Sequence, residues 1–138
     1  KDTYPAPTER PSVRAANNDV ANPSAPSVGG AFAATDPATA SDTVTAVVVP
    51  AGKCGTELAQ LAATKYGVAF GVGLGEVAGK VFRIGHLGSL TDVMALSGIA
   101  TAEMCMVDLG LDIQLGSGVA AAQDVFRAGA PLAQKEAA

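Results

Sequence analysis

Ala78-Gly79-Lys80-Val81-Phe82-Arg83-Ile84-Gly85-His86-Leu87-Gly88 is the stretch of this chain from which the rest can be read. Lys80 to Gly85 is rich in β-branched and aromatic residues and bounded by glycines, which predicts a strand. Side chains alternate along a strand, so Phe82 and Ile84 take one face and Arg83 the other.

Working upstream, Thr43-Val44-Thr45-Ala46-Val47-Val48-Val49 is β-branched and stops at Pro50, which predicts another strand. Thr56 to Tyr66 predicts a helix, with Leu58, Leu61 and Ala62 on one face and Gly67 closing it. Val68-Ala69-Phe70-Gly71 predicts a short strand, and Gly71 to Gly79 a glycine-rich loop. Downstream, Ser89 is the expected N-cap of a long helix, with Asp92 three residues on to suit the helix dipole. That helix is expected to run to about Leu109 and end at Gly110. Leu90, Val93, Met94, Leu96, Ile99, Met104, Met106 and Val107 make it apolar nearly all round, and Glu103 interrupts the pattern. A helix of that kind is covered on more than one side. A last short helix is expected over Val119 to Arg127. The order strand, helix, strand, strand, helix, helix predicts an α+β fold, a small antiparallel sheet with helices on one face.

Composition divides the chain into a tail over 1–42, a domain over 43–128 and a C-terminal tail over 129–138. The first part holds Pro5, Pro7, Pro11, Pro23, Pro26 and Pro37 and no Leu, Ile or Met. It has too little branched apolar surface to offset the entropy of ordering itself, so an extended or disordered tail is expected, held along a partner in the first reading and along its own domain in the second. The chain begins at Lys1, which raises the expectation of a removed targeting peptide and an organelle home.

Several kinds of chemistry are disfavoured. A formal net charge of -4 with no Lys/Arg cluster argues against nucleic acid. No apolar run reaches the roughly 18 residues that span a bilayer. Cys54 and Cys105 have no metal-ligand spacing and there is one His in the chain, so two reduced thiols and no metal site are expected. Gly71-Val72-Gly73-Leu74-Gly75 lacks the dinucleotide-loop spacing and precedes a strand, where a nucleotide loop opens a helix.

The quoted strand resembles the C-terminal domain of class V pyridoxal-phosphate aminotransferases, the serine–glyoxylate and alanine–glyoxylate branch in particular. Ser41-Asp42-Thr43-Val44, Lys65-Tyr66-Gly67, Asp108-Leu109-Gly110 and Gly116-Ser117-Gly118-Val119 extend the resemblance over residues 41–127. It implies that Arg83 forms a salt bridge to the carboxylate of the amino or keto acid substrate. A planar guanidinium suits that task because it grips a carboxylate through two parallel hydrogen bonds. By itself, a strand arginine is an ordinary solvated cation. The resemblance also implies that His86 lies near substrate in a complete enzyme, and that the glycines shape turns beside the substrate channel.

In that family the Schiff-base lysine, the partner of the pyridine nitrogen and the phosphate ligands come from the large domain. Lys1, Lys53, Lys65, Lys80 and Lys135 have no matching context, so no cofactor-binding residue and no catalytic residue is expected on this chain. Pyridoxal phosphate would enter only with a large domain on another chain. The first expectation is therefore a non-catalytic structural or accessory subunit of a larger complex, docking through helix 90–109 and the N-terminal tail. The alternative is the C-terminal portion of a working aminotransferase, supplying the arginine for the substrate carboxylate. A third, weaker expectation is a regulator that binds a free amino or keto acid at Arg83.

Overall fold

The computed structural model describes residues 31–32, 41 and 43–128. The C-terminal tail and nearly all of the expected N-terminal tail lie outside the described residues. The elements are β1 (Ala31–Phe32), β2 (Val44–Val48), α1 (Gly55–Leu61), β3 (Gly71–Val72), β4 (Val81–Gly85), α2 (Asp92–Asp108) and α3 (Ser117–Ala128). The strands form one antiparallel sheet in the order β1-β2-β4-β3. The expected α+β architecture is what the chain adopts.

Alternation sorts the sheet as the sequence implies. Val47 of β2 pairs with Phe82 of β4 and Thr45 with Ile84, and this face meets the helices. Val47, Val49, Leu58, Ala62, Phe82, Ala102, Cys105 and Met106 form the core. Phe82 and Leu58 are fully buried, and the Phe70 ring lies 5.5 Å from that of Phe82.

α1 continues through a π-helical turn, Ala62–Tyr66, to Gly67 in the left-handed region. The Val68 N–H also closes back on the Ala62 carbonyl. That closure is why the third strand starts later than the expected Val68–Gly71. The ladder begins only where Gly71 meets Arg83.

α2 starts at Thr91, not at the expected Ser89. Thr91 has extended backbone and its hydroxyl accepts from the Met94 N–H at 3.3 Å, which satisfies one orphan donor. Asp92 therefore sits at the first helical position, still well placed for the dipole. At the other end the Gly110 N–H bonds the Val107 carbonyl and the Leu111 N–H bonds the Met106 carbonyl, a Schellman closure with Gly110 left-handed. The Lys53 ammonium donates to the Leu109 carbonyl as well. Both cysteines are free; burial pushes the Cys105 thiol up.

The all-round apolar character of α2 has a physical cause within the fold. Ala102, Cys105 and Met106 face the sheet core, while Ile99 packs on Ala122 of α3 with Leu96, Val119, Val125 and Phe126 around them. Val93 and Met94 stay exposed at its N-terminal end.

Glu103 does not merely interrupt that pattern. It is only 5% exposed, and its carboxylate accepts the Gly116 N–H at 2.8 Å and the Gly118 N–H at 2.6 Å. The charge is thus held against the positive end of α3, where two charge-assisted bonds and the helix dipole offset its desolvation. A methyl on Gly118 would fall 2.9 Å from Glu103 Oε1 and 3.2 Å from Ile99 Cγ2, so the contact requires glycine there.

On the surface, Asp108 joins the end of α2 to the end of α1's π turn. Its Oδ2 accepts from Lys65 Nζ at 2.7 Å and from the Tyr66 hydroxyl at 2.7 Å. The Lys65 bond, then the Tyr66 bond, hold the Asp108 carboxyl below its usual range. The bond to Asp108 raises both Lys65 and Tyr66 in turn.

Two outcomes follow from these contacts. Glu103→Ala leaves the buried Gly118 amide and the partly buried Gly116 amide at the start of α3 without their acceptor, and should cost about 2 kcal/mol in denaturant unfolding. Asp108 contributes stability that is present above the ordinary carboxylate pKa and lost as pH falls through its lowered folded value. Lys65 and Tyr66 contribute below their ordinary values and lose it as pH rises through their raised ones. Stability measured from pH 7 to below about 4 should therefore drop less steeply in Asp108→Asn than in the parent.

Candidate functional site

Arg83 occupies the middle of β4, with Ala46 of β2 and Gly71 of β3 as its cross-strand partners. Directly opposed residues share a face, so Ala46, Arg83 and Gly71 form one row on the side of the sheet away from Phe82. The row is small, large, small, and the long side chain has a low wall on either flank. A Cβ placed on Gly71 would fall 3.2 Å from both Arg83 Cβ and Nε and 3.5 Å from Nη2. The guanidinium therefore lies back against β3.

Nε of Arg83 is buried and has no hydrogen-bond partner. Among the described residues the ion pairs are Lys65 with Asp108 and Arg127 with Asp124, so Arg83 is not held in a structural salt bridge. A buried donor without an acceptor costs about 1–3 kcal/mol, and a two-oxygen anion placed against Nε and its neighbouring amine would remove that cost. What the arrangement can do chemically is bind and orient a carboxylate.

His86 and Arg83 lie on different faces of the sheet. The His86 N–H bonds the Thr43 carbonyl at 2.9 Å, which prolongs the ladder and carries its side chain to the Phe82 face. There His86 Nε2 lies 2.9 Å from the Thr45 hydroxyl. Period-two alternation places His86 on the face opposite Arg83.

The glycine-rich loop folds back on itself. Gly73 N–H bonds the Val81 carbonyl, extending the β3–β4 ladder, and a single 3-10 turn over Gly75–Val77 returns the chain to β4. A side chain at Gly73 would meet the Val77 carbonyl at 2.1 Å, so glycine is needed there for backbone approach.

The described lysines do not fit the attachment of pyridoxal phosphate. Lys53 is engaged with the Leu109 carbonyl, Lys65 with Asp108, and Lys80 is exposed at the start of β4. Among the described residues no cluster of His, Cys, Asp and Glu could hold a metal ion, and no helix is long and apolar enough to cross a membrane. Two contacts were missed from sequence, Gly71 against Arg83 and, away from the candidate site, Glu103 of α2 against the start of α3. The first needs the strand register and the second needs the α2–α3 packing to be seen.

No family model matches the chain. It is 65% identical over 98 residues to the L-aspartate–glyoxylate aminotransferase of Paracoccus denitrificans, a match covering 71% of this chain and 25% of that protein. It is 48% identical over 94 residues to the serine–glyoxylate aminotransferase of Methylorubrum extorquens, covering 68% and 23% respectively. The solved structure of pyridoxamine–pyruvate aminotransferase from Mesorhizobium loti superposes with a TM-score of 0.71 at 32% identity, over 84% of this chain and 28% of that one. The chain spans about a quarter of the length of the curated relatives it matches. With the sheet order, the helix-covered face and these likenesses taken together, the chain belongs to the class V aminotransferases, as a segment from their C-terminal part.

Proposed function

We propose that this segment serves a working pyridoxal-phosphate aminotransferase that uses glyoxylate, and that Arg83 receives the carboxylate of the amino or keto acid. The observation that carries it is the buried, unpartnered Nε of Arg83 in a row bounded by Ala46 and Gly71. A strand arginine kept only for packing or solubility has no reason to leave a buried donor without an acceptor. That relatives of this chain are aspartate–glyoxylate and serine–glyoxylate aminotransferases favours the same chemistry.

In this scheme the chain's own contribution is to bind and to orient. The Arg83 guanidinium holds the substrate carboxylate by two parallel bonds, and its place on a twice-paired strand fixes where that carboxylate lies. Pyridoxal phosphate, which supplies the electron sink, is assigned with its lysine to another part of the particle. Aspartate and serine differ in their side chains and share the α-carboxylate, so Arg83 serves either donor.

If the chain is instead a structural or accessory subunit docking through α2 and the N-terminal tail, Arg83 has no ligand to hold. The two cases differ in a measurable way. The particle carrying this chain should co-purify with a pyridoxal-phosphate-bearing domain, identified by native mass and by the cofactor's absorbance. In it Arg83→Ala should lower kcat/KM by about 100-fold or more, while Arg83→Lys, which keeps the charge and loses the fork, should fall between. A large particle without a cofactor-bearing domain, together with a silent Arg83→Ala, would establish the accessory subunit.

A further inference from the structure

Gly71 is glycine for a reason that its backbone does not supply. It lies within β3, where glycine weakens a strand because it has no side chain to pack. Its φ is not in the left-handed region, unlike that of Gly67 or Gly75, so the conformation itself accepts any residue. The space beside it explains the choice. The three heavy atoms nearest to a Cβ at Gly71 all belong to the Arg83 side chain: Cβ and Nε at 3.2 Å and Nη2 at 3.5 Å. Other close-packed glycines here protect different things. A Cβ at Gly55 would meet the Val81 carbonyl at 2.4 Å and one at Gly73 the Val77 carbonyl at 2.1 Å, both of them backbone.

We propose that Gly71 is a positioning residue for the substrate carboxylate, acting through Arg83: its missing side chain is the bed on which the guanidinium lies. This rests on the carboxylate role assigned to Arg83 above. The cross-strand register puts the two residues directly opposite, so a methyl at 71 is accommodated by a small shift between β3 and β4, where it meets the Arg83 Cβ, together with movement of the guanidinium away from β3. The displacement is a few tenths of an ångström for alanine and larger for valine. A carboxylate held by two parallel bonds is sensitive to such a shift because both bonds must stay aligned at once, and the loss falls on binding of the carboxylate.

The test is a double-mutant cycle in the intact particle, with glyoxylate and the amino donor as substrates. Gly71→Ala is expected to raise KM for both by about tenfold, with kcat and the melting temperature near those of the parent, and Gly71→Val to raise it further. In an Arg83→Ala background, Gly71→Ala should change KM no more, because the group through which it acts is gone. Parental KM values in Gly71→Ala would overturn the proposal, as would an undiminished effect in the Arg83→Ala background. Loss of folding in Gly71→Ala that persists in the double variant would overturn it too, by showing that the methyl meets more than the arginine. Failure of the underlying assignment looks different: Arg83→Ala itself would then keep the parental KM, whatever Gly71 does.

Discussion

β4 is hydrogen-bonded along both edges, to β2 on one side and to β3 on the other, and this double pairing sets the register of the sheet. A slip of one residue in either ladder would exchange the faces of Phe82 and Arg83. Phe82 would leave a fully buried place in the core, and a guanidinium would enter it without a partner. Burying such a charge unpaired costs far more than the burial of one aromatic ring returns. One strand therefore holds the core and the arginine in a fixed relation. The helices on the Phe82 side give β4 a rigid backing.

The helical layer is assembled by its ends as much as by its faces. α2 is closed at its C-terminus by Gly110 and by Lys53, a residue from the loop between β2 and α1. Asp108, on the last turn of α2, is bonded to Lys65 and Tyr66 at the end of α1. Glu103, near the middle of α2, supplies acceptors for the first amides of α3. Helix ends carry orphan donors and acceptors that must find partners, and here neighbouring elements provide them. The Asp108 and Glu103 bonds join residues distant in sequence and tie one helix to the next.

Much of this was legible in the residues. The β-branched run before Pro50, the helix closing at Gly67, the strand around Arg83 and the helix ending at Gly110 lie within a residue or two of where they were expected, because alternation and glycine punctuation are local signals. The start of α2 was displaced because Ser89 and Thr91 are both competent caps. Which hydroxyl finds a free amide depends on the path of the chain after Gly88. The strand at Gly71–Val72 was displaced because Val68 is taken by the closing turn of the preceding helix. Glu103 looked like a flaw in an apolar helix, since nothing within seventeen residues of helix reveals that its carboxylate faces another helix's N-terminus.

The sequence by itself determined the alternation, and with it the opposition of Arg83 to Phe82 and Ile84, because the period of a strand is a property of the backbone. It also determined the family, through a run of motifs dense enough to be unmistakable. Only the tertiary structure decided what stands beside the arginine. Gly71 and Arg83 are neighbours because β3 and β4 pair in one register, and a pairing between segments separated by a glycine-rich turn is a product of packing. The same packing left Arg83 Nε buried without a partner, which does not follow from the order of the residues alone.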